Sequence, residues 1–267
     1  MDPRVREDDG EGEDDGVWIP ARARMTGRAR MTARGGWSPY TYRMNKLVHS
    51  ASADPVGGGK TTSRTNDPAR TMAGILEVAT AEFASKGLSG ARIDEIAAAT
   101  RTSKRMIYYY FGSKEGLYLA VLEEAYRRMR SIEAELQLGD LPPEAALRRL
   151  VEFTFDHHFG NQDYIRLVMS ENMQRGEYLA QSKIIQELNV TAIEAIRQLY
   201  DRGVAEGLFR TGLDAIDIHA SISALTFFNV SNQHTFGLIF KHDPAAEAAR
   251  ALRRSNIVEM IVRFVKR

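Results

Sequence analysis

The stretch from Asp94 to Tyr118 constrains the fold of this chain most, because it combines two short helical patterns, a turn between them and the start of a third helix. Apolar residues within 93–97 recur at i, i+3 and i+4, which places them on one face of the first helix. A polar break at 100–102 follows, and Ser103 is a good N-cap for the second helix. Ser113 has the same capping role for the third helix. The stretch therefore predicts helices that meet at a tight turn.

The second of these helices is basic at its start, with Lys104 and Arg105, and its apolar side contains Ile107. Its tyrosines can each place a ring on the core and a hydroxyl at the surface. Lys114 lies in the first turn of the next helix, where a positive side chain is unfavourable for the helix dipole unless a phosphate binds against that helix end. Two helices joined by a short turn, the second basic at its start, suggest a DNA-reading helix-turn-helix.

The residues from about Arg70 to Tyr126 resemble the TetR family of transcriptional regulators. The matching pieces, in chain order, are Ile75-Leu76, Ala81-Glu82-Phe83, Gly87, Ile96-Ala97, Ser103-Lys104, Tyr108 to Phe111 and Ser113-Lys114-Glu115-Gly116-Leu117. The sequence departs from the family pattern at two positions. The usual turn glycine is Arg101 here, which denies the turn a residue that adopts positive φ easily. The usual Thr or Ser that caps the helix before the turn is Ala91, which leaves that helix start without a side-chain cap.

The resemblance implies roles for individual residues of the helix-turn-helix. Thr102, Lys104 and Arg105 are positioned for base edges, and phosphate contacts come from Tyr109, Tyr110 and Lys114, with Arg92 as a further candidate. The full predicted DNA-binding set is Arg92, Thr102, Ser103, Lys104, Arg105, Tyr108, Tyr109, Tyr110 and Lys114. The alternative for each residue is an ordinary solvated surface side chain.

Composition limits what else the chain can be. Lys and Arg number 36 and Asp and Glu 35, so any basic surface must be local. The absence of cysteine excludes disulfides and cysteine metal sites and fits a reducing compartment. No apolar run approaches the roughly 20 residues that span a bilayer, and the acidic start is unlike a signal peptide. We therefore expect a cytoplasmic protein with no membrane partner, associated with the nucleoid when bound to DNA.

Residues 1–66 differ from the rest of the chain, because an acidic block over 7–15 gives way to a basic one over 22–34 and no regular period follows. Such a composition predicts a disordered low-complexity extension. It is either a basic arm that touches DNA or an extension upstream of a later start, and the candidate starts are Met25, Met31 and Met44. Gly57 to Thr61 resembles a phosphate-binding loop, but the required first glycine is Asp54, so we interpret the segment as a linker.

The folded part is predicted to begin at Asp67-Pro68, as an N-cap and a first helical position, and its first helix to run to Lys86 and stop at Gly87. Further helices are predicted over 113–136, from 142, and over 161–172, 178–205, 215–229 and 244–265. No segment alternates with period two, so the expected fold is all-α. The predicted domains are the extension over 1–66, a three-helix helix-turn-helix DNA-binding domain over 67–117, and an all-helical ligand-binding and dimerisation domain over 118–267.

The last two predicted helices each carry a broad apolar face. Their apolar residues are Ile216, Ile218, Ile222, Leu225, Phe228, Leu252, Ile257, Val258, Ile261, Val262 and Val265. The resemblance implies that this pair forms a four-helix interface in a homodimer, and the alternative is an ordinary core face. A two-fold dimer would bring two helix-turn-helix domains, here called reading heads, to the half-sites of a palindromic operator in double-stranded DNA.

Aromatic residues and methionines with a few polar groups suggest a small-molecule cavity beside the long helix. The predicted lining residues are Phe155, His158, Tyr164, Met169, Asn172, Met173, Ile184, Leu188 and Phe227, with His219 and Asn229 further along. The alternative for each is plain core. Residues 165–243 also resemble TetR regulators of the catabolism of small aromatic or heterocyclic acids, through Ser170-Glu171-Asn172, Leu179-Ala180-Gln181-Ser182 and Asn232-Gln233-His234-Thr235-Phe236. This second resemblance implies an aromatic or heterocyclic acid as effector.

These features together predict a dimeric DNA-binding transcriptional regulator, most simply a repressor that leaves its operator when a small molecule binds. The sequence contains no complete nucleophile-base-acid set, metal-ligand spacing or phosphate loop, so we expect no enzyme activity and no cofactor. A metal-sensing regulator, an activator and a regulator that senses no ligand are the alternatives.

Overall fold

The computed structural model describes residues 67–267. The extension and the linker predicted over 1–66 lie outside the described residues. Within 67–267 the chain is helical throughout, without a strand, apart from an isolated bridge between Phe209 and Lys266. The all-α prediction is confirmed.

Ten α-helices and two short 3-10 turns make up this described part of the chain. The helices are α1 (Pro68–Gly90), α2 (Ile93–Ala99), α3 (Lys104–Phe111), α4 (Lys114–Ala134), α5 (Pro143–Gly160), α6 (Gln162–Met173), α7 (Lys183–Ala205), α8 (Ala215–Ser231), α9 (Gln233–Phe240) and α10 (Glu247–Val265). The 3-10 turns are Leu138–Asp140 and Leu179–Gln181.

The helix starts follow the predicted caps. The Asp67 carboxylate accepts a hydrogen bond from the backbone N–H of Ala69 at 3.0 Å, and Pro68 takes the first position of α1. The Ser103 hydroxyl accepts from Met106 at 3.2 Å, and Ser113 plays the same part for α4. Each cap satisfies one of the N–H groups that a helix start leaves without an internal partner.

The structure differs most from the predicted helices at the starts of α7 and α10 and in one additional helix, α9. The long helix α7 begins at Lys183 rather than Tyr178, because the hydroxyl of Ser182 caps it by accepting from the N–H of Ile185 at 3.1 Å. Helix α10 begins at Glu247 instead of Pro244. Helix α9 was not predicted at all. It buries no residue completely, and Leu238, Ile239 and Phe240 are exposed, so no regular contrast between a buried and a solvated face marks it.

Two apolar cores hold the helices together. The first joins α1 to α4 around fully buried side chains such as Ile75, Phe83 and Ile107, each of which stabilises the fold by about 1.5–3 kcal/mol. Leu167 of α6 and Ile185 of α7 complete this core. The second core joins α5, α7, α8 and α10. The predicted boundary between residues 117 and 118 falls within α4, which packs against both α1 and α7.

Candidate DNA interface and effector site

The turn between α2 and α3 is closed by backbone hydrogen bonds, including one from the N–H of Thr102 to the carbonyl of Ala97 at 3.0 Å. Arg101 at the centre of this turn has φ of 53°. A residue other than glycine therefore adopts the left-handed backbone conformation, which costs roughly 1–2 kcal/mol because its Cβ crowds the following carbonyl. The turn keeps its geometry without the glycine of the family pattern.

Helix α2 starts without a cap from its own side chains, as predicted, but the N-cap position is Arg92 and not Ala91. The cap is supplied from α1 instead. Oε1 of Glu82 accepts a hydrogen bond from the backbone N–H of Arg92 at 3.0 Å, and Lys86 pairs with both Glu82 and Glu95. The negative charge at this helix start also suits the helix dipole. This link fixes α2 against α1.

Helix α3 buries Ile107 and presents the other side to solvent. Lys104 and Arg105 are exposed at its start, and Tyr109 is 64% exposed. Tyr108 is exposed as well, whereas Tyr110 is half-buried and packs against the first core. The basic end of α3 is therefore an accessible surface that can enter a DNA groove.

Several predicted DNA-binding cations already have local partners. Lys104 forms an ion pair with Asp94, both half-exposed, and Nζ of Lys114 donates to the carbonyl of Ser89 at 3.3 Å. Arg101 and Arg105 are exposed, and neither forms an ion pair within the described chain. Exposed pairs of this kind contribute about 0–1 kcal/mol, so phosphates can replace them.

Gly116 sets how closely α3 and α4 approach. A Cβ atom at this position would lie 2.1 Å from the carbonyl oxygen of Phe111, which is backbone and has no room to yield. The glycine of the Ser113-Lys114-Glu115-Gly116-Leu117 run is therefore required by the junction that fixes the end of the reading helix.

With this geometry in place, comparison with known proteins identifies the family. Residues 75–121 match the family model described as bacterial regulatory proteins, tetR family, and residues 143–261 match the tetracyclin repressor-like C-terminal domain. The HTH-type transcriptional repressor NicS of Pseudomonas putida is 34% identical over 78% of this chain and 98% of its own length. The chain belongs to the TetR family. Members of the TetR family are transcriptional regulators, not enzymes. The two matching family models cover both the helix-turn-helix and most of the helical domain that follows it.

Two further relatives agree with this assignment. The HTH-type transcriptional repressor SCO4008 of Streptomyces coelicolor is 36% identical over 52% of this chain and 69% of its own length. The crystal structure of SCO4942, also from Streptomyces coelicolor, is 27% identical, covers 73% of this chain and 98% of its own, and superposes with a TM-score of 0.56. TetR regulators bind DNA operators and small-molecule effectors and are dimeric.

The predicted effector residues lie in several different places. His158, Tyr164 and Phe227 come together: the imidazole centroid of His158 is 6.1 Å from the ring of Tyr164 and 6.0 Å from that of Phe227. Phe155 packs instead on Phe159 in the second core. Leu188 lines a cleft between α4 and α7. Ile184 is half-buried near the start of α7, and Met169, Asn172 and Met173 are exposed on α6.

A buried arginine that sequence reasoning missed lies beside His158. The side chain of Arg130 is 9% exposed; one of its Nη atoms pairs with Glu133, and the other donates to Oδ1 of Asn189 on α7 at 2.8 Å. Arg130 stands among three arginines in the run 127–130, which is typical of a solvated face. The available signal was the spacing of Tyr126, Arg130 and Glu133 at i, i+4 and i+7, which places all three on one side of α4.

The histidines around Arg130 are neutral at pH 7. Burial lowers the pKa of His158 to about 3, with smaller contributions from His157, Arg130 and His219. Burial, then the charge of Arg130, also lowers the pKa of His157 and of His219. Burial raises the pKa of Tyr164. The cluster thus places neutral imidazoles near the guanidinium of Arg130, which is paired with Glu133.

Two clefts border this cluster. One, of about 700 Å³, lies between α4 and α7 and has Arg130, Leu188 and Ala192 in its walls. The other, of about 470 Å³, lies where α1, α4, α5 and α6 meet and includes His157 and Tyr164. Over residues 67–267 there is no group of three or more side chains suited to a metal ion. None of the helices in this described range combines the length and the hydropathy of a membrane-spanning segment.

The predicted dimer faces of the last two long helices divide into two sets. Ile218, Ile222, Ile257, Val258, Ile261, Val262 and Val265 are buried in the second core of the chain itself. The apolar side chains that stay exposed on α8 and α10 are Ile216, Phe228, Leu252, Met260 and Phe264. Only the second set is available to a partner.

Proposed function

We propose that this TetR regulator is a homodimeric repressor that binds a palindromic operator through α2 and α3 and leaves it when a small-molecule effector binds. The DNA-binding domain is residues 67–117, and 118–267 bind the effector and the partner. The protein acts in the cytoplasm and associates with the nucleoid when it is bound to DNA. The observation that carries the proposal is the exposed basic start of α3, which directly follows the turn at Arg101.

The predicted DNA residues divide into two groups on this surface. Lys104 and Arg105 lie at the start of α3 and Thr102 and Ser103 directly before it, where a recognition helix meets base edges. The tyrosines 108–110, Lys114 and Arg92 flank it and contact phosphates, which set affinity and register rather than sequence choice. The repressor function is supported by NicS and SCO4008, both of which are HTH-type transcriptional repressors.

The dimer forms through the exposed apolar side chains of α8 and α10. Ile216, Phe228 and Leu252 are large and unburied in the single chain, and covering them removes apolar surface from water at about 25 cal/mol per Å². A dimer is also what a reading head of this size needs, because two heads on half-sites one helical turn apart bind far more tightly than one.

The effector is a small molecule, and the second resemblance noted for residues 165–243 favours an aromatic or heterocyclic acid. It binds beside α4, the helix that begins directly after the reading helix. A ligand that favours one separation of the two heads shifts the population away from the spacing that matches the operator. The coupling needed is on the order of 1–3 kcal/mol.

Selection of genomic fragments with purified protein, followed by titration of the recovered DNA over a salt series, tests the proposal. Wild type is compared with the double variant Lys104→Ala, Arg105→Ala. The control, Arg149→Ala with Lys183→Ala, removes the same two charge types from exposed sites on α5 and α7. We expect wild type and control to select one palindromic site and the reading-head variant to lose that preference.

Equal, weak and unselective binding by all three proteins would overturn the DNA-reading role of α3. A reporter gene placed behind the selected site separates repression from activation. An activating result would favour a second candidate function, because FasR of Mycolicibacterium smegmatis, described as an HTH-type transcriptional activator, is 30% identical over 52% of this chain.

A further inference from the structure

Three consecutive apolar side chains are exposed at the end of helix α9. Leu238 is 82% exposed, Ile239 is 71% exposed and Phe240 is 62% exposed. Consecutive positions of an α-helix lie about 100° apart, so these side chains point to different sides of α9. A helix that is apolar on most of its sides is normally buried on most of its sides. The single chain leaves α9 uncovered, which indicates that another surface covers it in the assembled protein.

The end of α9 is held in a fixed position by the turn that follows it. Lys241 adopts φ of 50°, and the backbone N–H of His242 donates to the carbonyl of Gly237 at 3.1 Å. A Cβ atom on Gly237 would lie 2.9 Å from the carbonyl oxygen of His242, so this close turn requires glycine. The exposed side chains are therefore presented on an ordered backbone, which reduces the entropy lost when a partner binds.

A row of aromatic rings joins α9 to the exposed apolar side of α8. The ring centroid of Phe236 lies 5.9 Å from that of Phe228 on α8 and 4.6 Å from that of Phe240. Phe228 is one of the exposed side chains through which the dimer is proposed to form. The exposed surface of α9 is therefore continuous with that face and borders any partner that binds there.

The composition of α9 suits a surface that meets a copy of itself. In a two-fold dimer the same patch occurs on both sides of the interface, so like charges close to the axis would repel. Residues 233–240 contain no Asp, Glu, Lys or Arg. A membrane-surface helix is usually rich in Lys and Arg beside its apolar side, and a small-molecule site is concave. A second copy of the chain fits α9 better than either of these.

The size of this surface is of the order that a dimer requires. With their exposed fractions, Leu238, Ile239 and Phe240 offer roughly 400 Å² in each subunit, since a fully covered large side chain buries about 150–250 Å². A standard interface takes about 800 Å² from each partner. Helix α9 can therefore supply about half of such an interface, and the exposed side chains of α8 and α10 add to it on the same surface.

We propose that α9 is a dimerisation arm, whose side chains Leu238, Ile239 and Phe240 pack against a second copy of the chain. The inference rests on the homodimer of the proposed function and adds to it a helix outside the pair α8 and α10. Covering the arm removes apolar surface from water, which drives association. A subunit without such an arm leaves that of its partner exposed, so α9 favours pairing with an identical chain.

Cysteine labelling of the intact protein tests whether α9 is covered, because the natural chain contains no cysteine. Ile239→Cys is compared with Val190→Cys, whose site on α7 is 70% exposed, and each maleimide reaction rate is divided by that of the same variant in urea. We expect this ratio to be about 10-fold lower or less for Ile239→Cys, since thiol reactions depend on access. Dilution below the dimer Kd should abolish the difference.

Sedimentation over a concentration series tests whether the dimer depends on the arm. Leu238→Gln with Ile239→Gln removes apolar surface from α9 but keeps residues that suit a helix. The control, Ile132→Gln with Val190→Gln, removes similar surface from exposed sites on α4 and α7. We expect the arm variant to raise the dimer Kd by about 10-fold or more relative to wild type and control, with unchanged circular dichroism.

Two results would overturn the inference. One is a dimer in which Ile239→Cys and Val190→Cys react equally fast, and a slowing only with vesicles of anionic phospholipid would then assign α9 to a membrane surface. The other is a folded arm variant with the Kd of wild type. Either result leaves the proposed dimer standing on α8 and α10. A wild type that stays monomeric at every concentration would instead remove the proposed dimer, and the arm with it.

Discussion

Oε1 of Glu82 lies 3.0 Å from the backbone nitrogen of Arg92, so a carboxylate on α1 caps the first helix of the helix-turn-helix. The link spans ten residues of sequence and replaces the serine or threonine that the family pattern has at the start of this helix. Together with the burial of Ile96 in the first core, it fixes α2 against α1, and several predictions concern contacts made by single residues.

Replacing Glu82 with alanine removes the cap of α2. We expect Glu82→Ala to lower the free energy of unfolding by about 1–2 kcal/mol, the usual cost of losing a helix N-cap. Urea unfolding measures the change, and Glu77→Ala, an exposed glutamate on the same helix, is the control. Adding Arg92→Ser should recover about 1 kcal/mol by restoring a local cap. Equal stability of Glu82→Ala and Glu77→Ala would contradict the capping role.

The turn at Arg101 is under backbone strain. Glycine adopts φ near 53° without the Cβ penalty, so Arg101→Gly should raise the free energy of unfolding by about 0.5–1 kcal/mol after its own entropic cost. Arg105→Gly, inside α3, should instead lower it by about 1 kcal/mol. Thermal and urea unfolding of both variants check the opposite signs. If Arg101→Gly proves destabilising, the strain is not real.

Asp94 competes with DNA for Lys104. Asp94→Asn should tighten operator binding by about 3–10-fold at low salt, with the gain shrinking as salt rises, because it frees a cation and removes a negative charge near the phosphates. The stability change should stay below about 1 kcal/mol, since the ion pair is exposed. Glu77→Gln is the matched charge control on α1. Unchanged affinity in Asp94→Asn would indicate that Lys104 does not reach DNA.

Gly203 on α7 leaves room for a buried ring. A Cβ there would lie 2.0 Å from Cδ2 of Phe209, whose ring is buried and stacks on Tyr200. Gly203→Ala should therefore lower the free energy of unfolding by about 1–3 kcal/mol through overpacking. Gly139→Ala, where nothing lies within 4 Å of the added atom, is the control. Similar melting temperatures for the two variants would contradict the close packing.

Acid should destabilise the protein through His158. Its pKa of about 3 in the folded state lies below the value near 6.5 in the unfolded chain, so as pH falls below 6.5 the unfolded state takes up a proton that the folded state refuses. The loss attributable to His158 is on the order of 2 kcal/mol at pH 5. His158→Phe should show a smaller difference in unfolding free energy between pH 7 and pH 5 than wild type does. His234→Phe, at an exposed site, should not change it.

Much of the fold could be predicted because the signals are local. Asp67, Ser103 and Ser113 each cap the helix that follows directly, and the i, i+3, i+4 pattern of 93–97 gives the buried face of α2. The basic start of α3 was visible for the same reason. Helix α9 was missed because exposed apolar residues carry no periodic contrast between a buried and a solvated side.

The supports of both candidate sites were not predictable in the same way, since they join distant parts of the chain. Nothing near Arg92 indicates that Glu82 will cap it, and nothing near Arg130 indicates that Asn189 will bury it against α7. Met173, chosen for its residue type, is 84% exposed. Residue type suggested a cavity, but only the packing of α4 on α7 decides which side chains face inward.

Leu167 and Ile185 belong to the body of the protein in sequence but fill the apolar interior of the reading head. The head is therefore not a separable module carried at the end of α4. A fragment ending at residue 117 would lose two large side chains from its interior and expose the surface that they covered. Grafting this head onto another regulator would require the recipient to supply equivalent side chains at those two places. The DNA-reading domain and the helical domain that completes its core would therefore have to be exchanged together.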